Sequence, residues 1–316
     1  MTSIAAGLAA AGFPAGDRHD RPSSTITFPD GARFRFEIPS VEGVDPLAAV
    51  IDEAEHWGVP IHRVSQGSGI SMLSDSELDE MARMAAEQRM EVSLFARPNA
   101  SWHLSAASKA PGGGHIAPTA HGMDQVTQAL EETQRAAAHG YRSVLIADVG
   151  TLFAFGRLRA EGVLPPDMQA KVSVSLPVSN AATARLVADL GANTLNIPTD
   201  LDLGQIAAIR AAVELPLDIY MEAPDSLGGF VRSYEIAEII RVASPVYLKF
   251  GLRNAPDIYP VGRHLRQLAA DLARERVHRA FLGFEAIRRA LPDEDTSELG
   301  ARGLAVPLAR ELDSHR

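Results

Sequence analysis

Val246-Tyr-Leu-Lys-Phe-Gly-Leu-Arg-Asn254 sets a lysine inside a run of strand-forming residues and follows it at once with a Gly-Leu-Arg-Asn turn. A lysine in a strand covered on both faces is costly to bury unless it has a partner or a task. Just upstream, Leu217-Asp-Ile-Tyr-Met-Glu222 has the same form and ends on a carboxylate. Neighbouring parallel strands of this kind would bring Glu222 and Lys249 to the same end of a sheet as a catalytic pair. The rest of the chain reads as the scaffold that makes them neighbours.

Moving outward, the same unit recurs. Toward the N-terminus, strands are predicted at Thr194–Ile197, Lys171–Leu176, Ser143–Asp148, Glu91–Arg97, Ile61–Ser65 and Arg33–Ile38. Each is followed by a helical pattern, several of them with recognisable ends. Asp45-Pro46 reads as an N-cap and first helical residue with Gly58 as the stop, and Ser74-Asp-Ser-Glu77 is a capping box. A long helix from about 261 to 291 follows the last strand. Eight strands each followed by a helix predict a single (β/α)8 TIM barrel. Its span is 24–291, with an N-terminal arm over 1–23 and a helical tail over 292–316. Before the first strand, Thr25–Phe28 and Arg33–Ile38 flank Pro29-Asp-Gly31, which is hairpin chemistry.

Bulk properties narrow the function. The 316 residues are 46% hydrophobic and 22% charged, the balance of an ordinary globular protein with a large core. A formal charge of −10 argues against nucleic acid as a partner. No apolar run is long enough to cross a bilayer. The absence of cysteine excludes disulfides, thiolate metal sites and a cysteine nucleophile, and fits a cytoplasmic protein. The alanine-rich N-terminus lacks the basic region of a signal peptide and reads as a short arm or helix.

Strand residues alternate between faces. One set is apolar: Phe34, Phe36 and Ile38; Leu217, Ile219 and Met221; Val246, Leu248 and Phe250. The other set is polar: Arg35 and Glu37; Arg63 and Ser65; Glu91, Ser93 and Arg97; Ser173 and Ser175; Asn196; Asp218, Tyr220 and Glu222; Lys249. A charged interior of this kind must be a paired network, because an unpaired buried charge is expensive. Residues early in their strands, such as Arg35, Glu91 and Asp218, read as structural ion pairs. Those at C-terminal strand ends face the side on which this fold carries its active sites. That rule selects Lys249 and Glu222 as catalytic, with Glu37, Ser65, Arg97, Asp148, Ser175, Asn196 and Arg253 around them.

Other stretches add candidates. Gly67, Ser68 and Gly69 in Gln66–Ser71 could cradle a phosphate or carboxylate on backbone N–H groups, or form a plain turn. Arg253 and Asn254 could clamp an anionic substrate, or Arg253 could pair with Asp257. The loop 98–122 is long enough for a lid. Its His103, His115 and His121 have no recognised ligand spacing, and Glu222 with Asp148 and Glu37 offers an alternative divalent-cation site that Lys249 disfavours. No cofactor is predicted. His264, Arg266, Arg276, His278 and Arg288-Arg289 read as a solvated helix face.

Leu215-Pro-Leu-Asp-Ile-Tyr-Met-Glu-Ala223 with the glycine-rich turn after it, and Leu190-Gly-Ala-Asn-Thr-Leu-Asn196 before it, resemble the collagenase-like peptidase family of unassigned catalytic type, over roughly the C-terminal half. The resemblance implies a barrel; some members are peptidases and others modify RNA bases. The family's pattern carries cysteines that this chain lacks, so cysteine-dependent chemistry does not transfer.

Three functions remain in view. The first is an enzyme acting on a small anionic keto acid or phosphorylated metabolite by lysine-assisted lyase, aldolase or proton-transfer chemistry. There Lys249 would be a base or a Schiff-base amine, Glu222 a proton shuttle and Arg253 the anion clamp; a closed Glu222–Lys249 salt bridge would leave the lysine inert. The second is peptidase-like hydrolysis. The third is a non-catalytic ligand-binding barrel. A small-molecule partner, and a homo-oligomer, are compatible with each.

Overall fold

A strand with one uniformly apolar face needs helices over that face, and a second polar face can be hidden only if the sheet curls around it. The chain does both. The computed structural model describes residues 3–14, 20–97 and 118–308. Strands β1 (Phe34–Pro39), β2 (Arg63–Ser65), β3 (Glu91–Phe95), β4 (Ser143–Ile146), β5 (Gln169–Val172), β6 (Thr194–Asn196), β7 (Leu217–Glu222) and β8 (Val246–Phe250) pair in sequence order, and β8 closes on β1. Every pairing is parallel. After a short N-terminal helix α1 (Ile4–Ala10), among the described residues one helix follows each strand in turn. These are α2 (Val44–Trp57), α3 (Asp75–Glu87), α4 (Met123–Ala138), α5 (Val149–Ala160), α6 (Ala181–Asp189), α7 (Leu203–Ala212), α8 (Ile236–Ala243) and α9 (Arg266–Ala290). The fold is a (β/α)8 TIM barrel.

The apolar strand faces point outward into the layer under the helices. Phe34, Phe36, Ile38, Leu248 and Phe250 are all buried there, each contributing roughly 1.5–3 kcal/mol of transfer free energy. Phe36 meets Phe284 of α9 edge-on with centroids 5.4 Å apart. Trp57 at the end of α2 stacks on Phe281 at 4.6 Å, tying α2 to α9 where the helix ring closes. Ser74 and Glu77 form the expected reciprocal capping box of α3. Helix α2 starts at Val44 rather than at Pro46, with both Asp45 and Pro46 in its first turn, where a missing N–H is tolerated. Gly58 ends it in the left-handed conformation (φ 63°).

Two expectations around the barrel's N-terminal face are corrected. Thr25–Phe28 is not a strand. The turn does close, with Phe28 N–H donating to Ala32 O at 2.8 Å, but both edges of β1 are already taken by β2 and β8, so no hairpin partner can add. The lead-in is instead held to the segment before β8, where Ser24 N–H donates to Arg241 O and Ser244 Oγ to Ile26 O. The segment after Pro292, expected to be helical, contains no helix over its described residues 292–308. Gly300 and Gly303 both take positive φ, which stops a helix. This strap covers the barrel floor: Arg35 Nε donates to Ser297 Oγ at 2.7 Å, Thr296 Oγ1 to Phe34 O, and Ala305 N–H to Glu91 Oε2.

The fifth strand ends at Val172, short of the predicted Leu176. Ser173 still donates its N–H to Ile146 O, but the chain then turns, with Leu176 N–H on Ser173 O. Among the described residues no helix is long and apolar enough to cross a membrane.

Candidate active site

The barrel interior holds charge where branched aliphatics usually sit. Glu37 on β1 accepts from Arg63 Nη2 at 2.6 Å and Nε at 2.8 Å, from Lys171 Nζ at 2.7 Å and from Ser65 Oγ at 2.9 Å. Asp218 on β7 takes Arg63 Nη2 at 2.5 Å, Thr194 Oγ1 at 2.9 Å and a short bond from Lys171 Nζ. The Tyr247 ring lies 3.5 Å from the Arg63 guanidinium carbon. Burial alone would raise the carboxyl of Glu37, but Arg63, Lys171 and Lys249 together hold it well below the usual range. Lys171 is pulled the other way, down to about 8, by burial and by the Arg63 charge. The network resolves the cost of buried charge by giving every carboxylate oxygen of Glu37 and Asp218 a donor.

Lys249 sits at the top of this network. Its nearest carboxylate oxygen is Glu37 Oε1 at 3.3 Å, against 2.7 Å for Lys171. The Tyr220 ring centroid lies 4.4 Å from its Nζ. With its amide turned to satisfy both neighbours, Asn196 accepts from Lys249 Nζ at 2.8 Å and donates to Asp218 O at 3.2 Å. Burial lowers the lysine's pKa, and Glu37 and Asp218 offset that only in part.

Above Lys249 opens a cavity of about 280 Å³ at the C-terminal mouth of the barrel. Lys249, Asn196 and Tyr220 line it together with the apolar Phe95 and Leu145. Ser65, Ser173 and Ser175 add hydroxyls, and Arg97, Arg276, Tyr259 and the Asp257 carboxylate lie in its polar wall. An apolar wall, an amine whose pKa is lowered by burial, two guanidinium groups and a carboxylate thus meet in one pocket.

The structure thus gathers Lys249, Asn196, Ser65, Ser175, Arg97 and Gly67 around one cavity, with Glu37 directly beneath. It does not bring Glu222 there. The β7–β8 register shifts between Tyr220 and Glu222, and this bulge turns the carboxylate toward the Arg253 N–H at 2.9 Å and Arg279 Nε at 3.4 Å. The expected Glu222–Lys249 pair is replaced by Glu37–Lys249. Arg253 is half-exposed and pairs with Asp225 at 3.4 Å, not with Asp257 or the cavity, and Asn254 N–H donates to the same carboxylate.

Asp148 is the N-cap of α5, accepting from Thr151 N–H at 2.7 Å. Glu222, Asp148 and Glu37 therefore point to three separate places, and among the described residues no cluster of acidic and histidine side chains is placed to hold a metal ion. His103, His115 and most of the loop from 98 lie outside the described residues. The glycine turn does cradle an anion, but an internal one. Gly67 and Ser68 N–H groups donate to Glu42 at 2.7 and 2.8 Å, while Gly69 N–H goes to Gln66 Oε1. Ser68 Oγ accepts from Val261 N–H.

Three residues of the site were not singled out from sequence. Lys171 has the same parity as Ser173, so alternation already placed it inward. Arg276, read as part of a solvated face, is 6% exposed. It lies on the buried small-residue stripe of α9 with Ala269, Ala273 and Ala280, a pattern visible in the sequence. Tyr259 had no signal beyond its place in the loop after β8.

Comparison with known proteins adds a family likeness. Residues 116–223 match the sequence profile of peptidase family U32. Leu190–Asn196 and Leu215–Ala223, the segments that carry the resemblance, fall inside it. The U32 segment runs from before α4 through β7, so it ends short of the C-terminal end and leaves Glu37, Lys249 and Arg276 outside. A solved U32 peptidase superposes with a TM-score of 0.41 at 12% identity, covering 73% of this chain and 97% of its own. A structure assigned as a fructose-1,6-biphosphate aldolase from Coccidioides immitis reaches 0.51 at 12% identity, covering 81% and 92%. A truncated 3-deoxy-D-arabino-heptulosonate 7-phosphate synthase from Thermotoga maritima reaches 0.45 at 15%, covering 88% and 97%. At these identities the likeness concerns the fold alone. No curated protein sequence matches the chain significantly.

Proposed function

We propose that this barrel is an enzyme that engages a small anionic carbonyl compound through the Lys249 amine, in lyase or aldolase chemistry. The observation that carries the reading is a fully buried lysine, its pKa lowered by burial, whose amine lines the cavity at the catalytic face of the fold. The neutral amine attacks the carbonyl carbon, and loss of water leaves an iminium. The iminium accepts the electron pair of an adjacent C–C or C–H bond to give an enamine; a proton returned to its carbon regenerates the iminium, and water hydrolyses that to the carbonyl product and the free amine. Glu37, held ionised, offsets the positive charge of the iminium. Asn196 fixes the amine's direction by its hydrogen bond to Nζ.

Borohydride reduction in the presence of pyruvate, followed by peptide mass mapping, tests this. An adduct on Lys249 that is absent from Lys249→Met is the expected result. A folded Lys249→Met protein with undiminished turnover would remove the lysine from the mechanism.

The U32 match favours a second reading, hydrolysis of a peptide or amide bond. Within the matched segment the cavity receives Ser173, Ser175, Asn196 and Tyr220. Cleavage of a fluorogenic peptide by both wild type and Lys249→Met would favour it over the lysine-based reading.

A further inference from the structure

Arg276 lines the cavity, and among the described residues no carboxylate forms an ion pair with it. It projects from the middle of α9, is 6% exposed, and its Nη1 reaches Ser40 O at 3.3 Å while its Nε is buried without a partner. A buried guanidinium without a paired carboxylate is costly unless something completes it. Glu42 lies in its field, but both carboxylate oxygens of Glu42 already receive the Gly67 and Ser68 N–H groups. Beside Arg276 in the same wall stands Tyr259, whose hydroxyl bonds Ser40 Oγ. Ser40 holds φ 61°, a conformation that a residue other than glycine seldom adopts.

The completing group is an anion, and its shape follows from which donors remain. Phosphate sites are built from several converging backbone N–H groups at a glycine turn or helix start. Among the described residues, the glycine-turn N–H groups at this mouth are spent. Gly67 and Ser68 serve Glu42, Gly69 serves Gln66, and Gly228 and Gly229 donate to Asp225 O and Pro224 O. The Arg276 guanidinium stands in the wall with the Tyr259 hydroxyl, a fork that matches a planar carboxylate, while Arg97 and Asp257 lie elsewhere in the same wall.

We propose that Arg276 and Tyr259 form a carboxylate subsite, so that the enzyme takes 2-oxo acids in preference to phosphate esters. The assignment of the oxo group rests on the Lys249 reading; the carboxylate subsite stands on its own geometry.

Oxamate is the probe, because it has the shape of pyruvate but its amide carbonyl forms no iminium. Thermal shift and calorimetry with oxamate are expected to show binding to wild type and to Lys249→Met, with inorganic phosphate and glycerol phosphate giving none at equal concentration. Arg276→Lys, which keeps the charge but not the fork, and Tyr259→Phe are each expected to weaken oxamate binding, the former by about tenfold or more. Unchanged oxamate affinity in folded Arg276→Lys, or tighter binding of phosphate than of oxamate, overturns the subsite. The two readings separate cleanly. Oxamate binding that depends on Arg276 without borohydride trapping of pyruvate keeps the subsite and ends the Lys249 chemistry. Trapping of neutral hydroxyacetone as readily as pyruvate keeps the chemistry and ends the subsite.

Discussion

Lys249 Nζ lies 3.3 Å from Glu37 Oε1, and the two residues are direct register partners across the seam where β8 meets β1. The pair therefore joins the first and last strands of the barrel and forms only when the sheet closes. The same carboxylate also receives Arg63 and Lys171, so closing the barrel and setting the state of the Lys249 amine are one event.

Glu37→Gln leaves Arg63, Lys171 and Lys249 facing a neutral amide in a fully buried site. Breaking a buried ion pair on one side costs roughly 3–5 kcal/mol, and urea denaturation is expected to show a loss of that order. Glu222→Gln gives the contrasting result. It retains an oxygen for the Arg253 N–H and loses an ion pair to Arg279, whose side chain is 41% exposed, a cost of about 1 kcal/mol at most. Turnover should stay within a few-fold of wild type. A Glu222→Gln protein that folds but is inactive would restore the glutamate of β7 to the mechanism.

His62 predicts an acid limit on stability. Its Nδ1 accepts the Phe36 N–H at 3.0 Å, and its Nε2 meets Ser297 O at 2.6 Å, so the neutral ring ties β1 to the floor strap. Burial drives its pKa down to about 4 from an ordinary 6.5, with Arg35 adding to the effect and the Ser297 bond and Asp30 opposing it. Below pH 6.5 the unfolded chain takes up a proton that the folded protein refuses. Stability thus falls as pH drops from about 6.5 to about 4, by roughly 3 kcal/mol in all. Melting temperature against pH should show this slope, and His62→Gln should flatten it. An unchanged slope in His62→Gln would assign the acid loss to other groups.

Alternation carried much of this architecture. The outward Phe34, Phe36 and Ile38 set and the inward Arg35 and Glu37 set are both readable from residue parity, as is Lys249 on the interior side. What parity cannot see is a local break in the period. The β7 irregularity between Tyr220 and Glu222 re-aims one carboxylate, and a sequence with no glycine or proline at that point gives no sign of it. The Ser173–Leu176 run keeps strand-like alternation after the chain has turned, because the turn is closed by a backbone bond to Ser173 O. Arg276 was hidden for a different reason. Its charge outweighed its position, although Ala269, Ala273 and Ala280 mark a face too small-sided to be solvent-facing by accident. Arginine on a small-residue stripe has room to reach inward along its apolar stem.

The last prediction concerns the contact between Gly67 and Tyr259 at the mouth. A Cβ at Gly67 would stand 2.5 Å from Tyr259 Cε1 and 2.9 Å from its hydroxyl oxygen. Something must move, and the ring, 36% exposed, can swing outward more easily than the Glu42-anchored turn can shift. Gly67→Ala should therefore cost only about 1 kcal/mol of stability. Its main effect should fall on the cavity, where the displaced ring loses its bond to Ser40 and its place beside Arg276, weakening oxamate binding by about tenfold. A double-mutant cycle with Tyr259→Ala makes the claim specific, because the two changes act through one side chain. Adding Gly67→Ala to Tyr259→Ala should then do almost nothing further. If the two losses simply add, Gly67 acts on the site by some route other than Tyr259, and the proposed packing of the mouth is wrong.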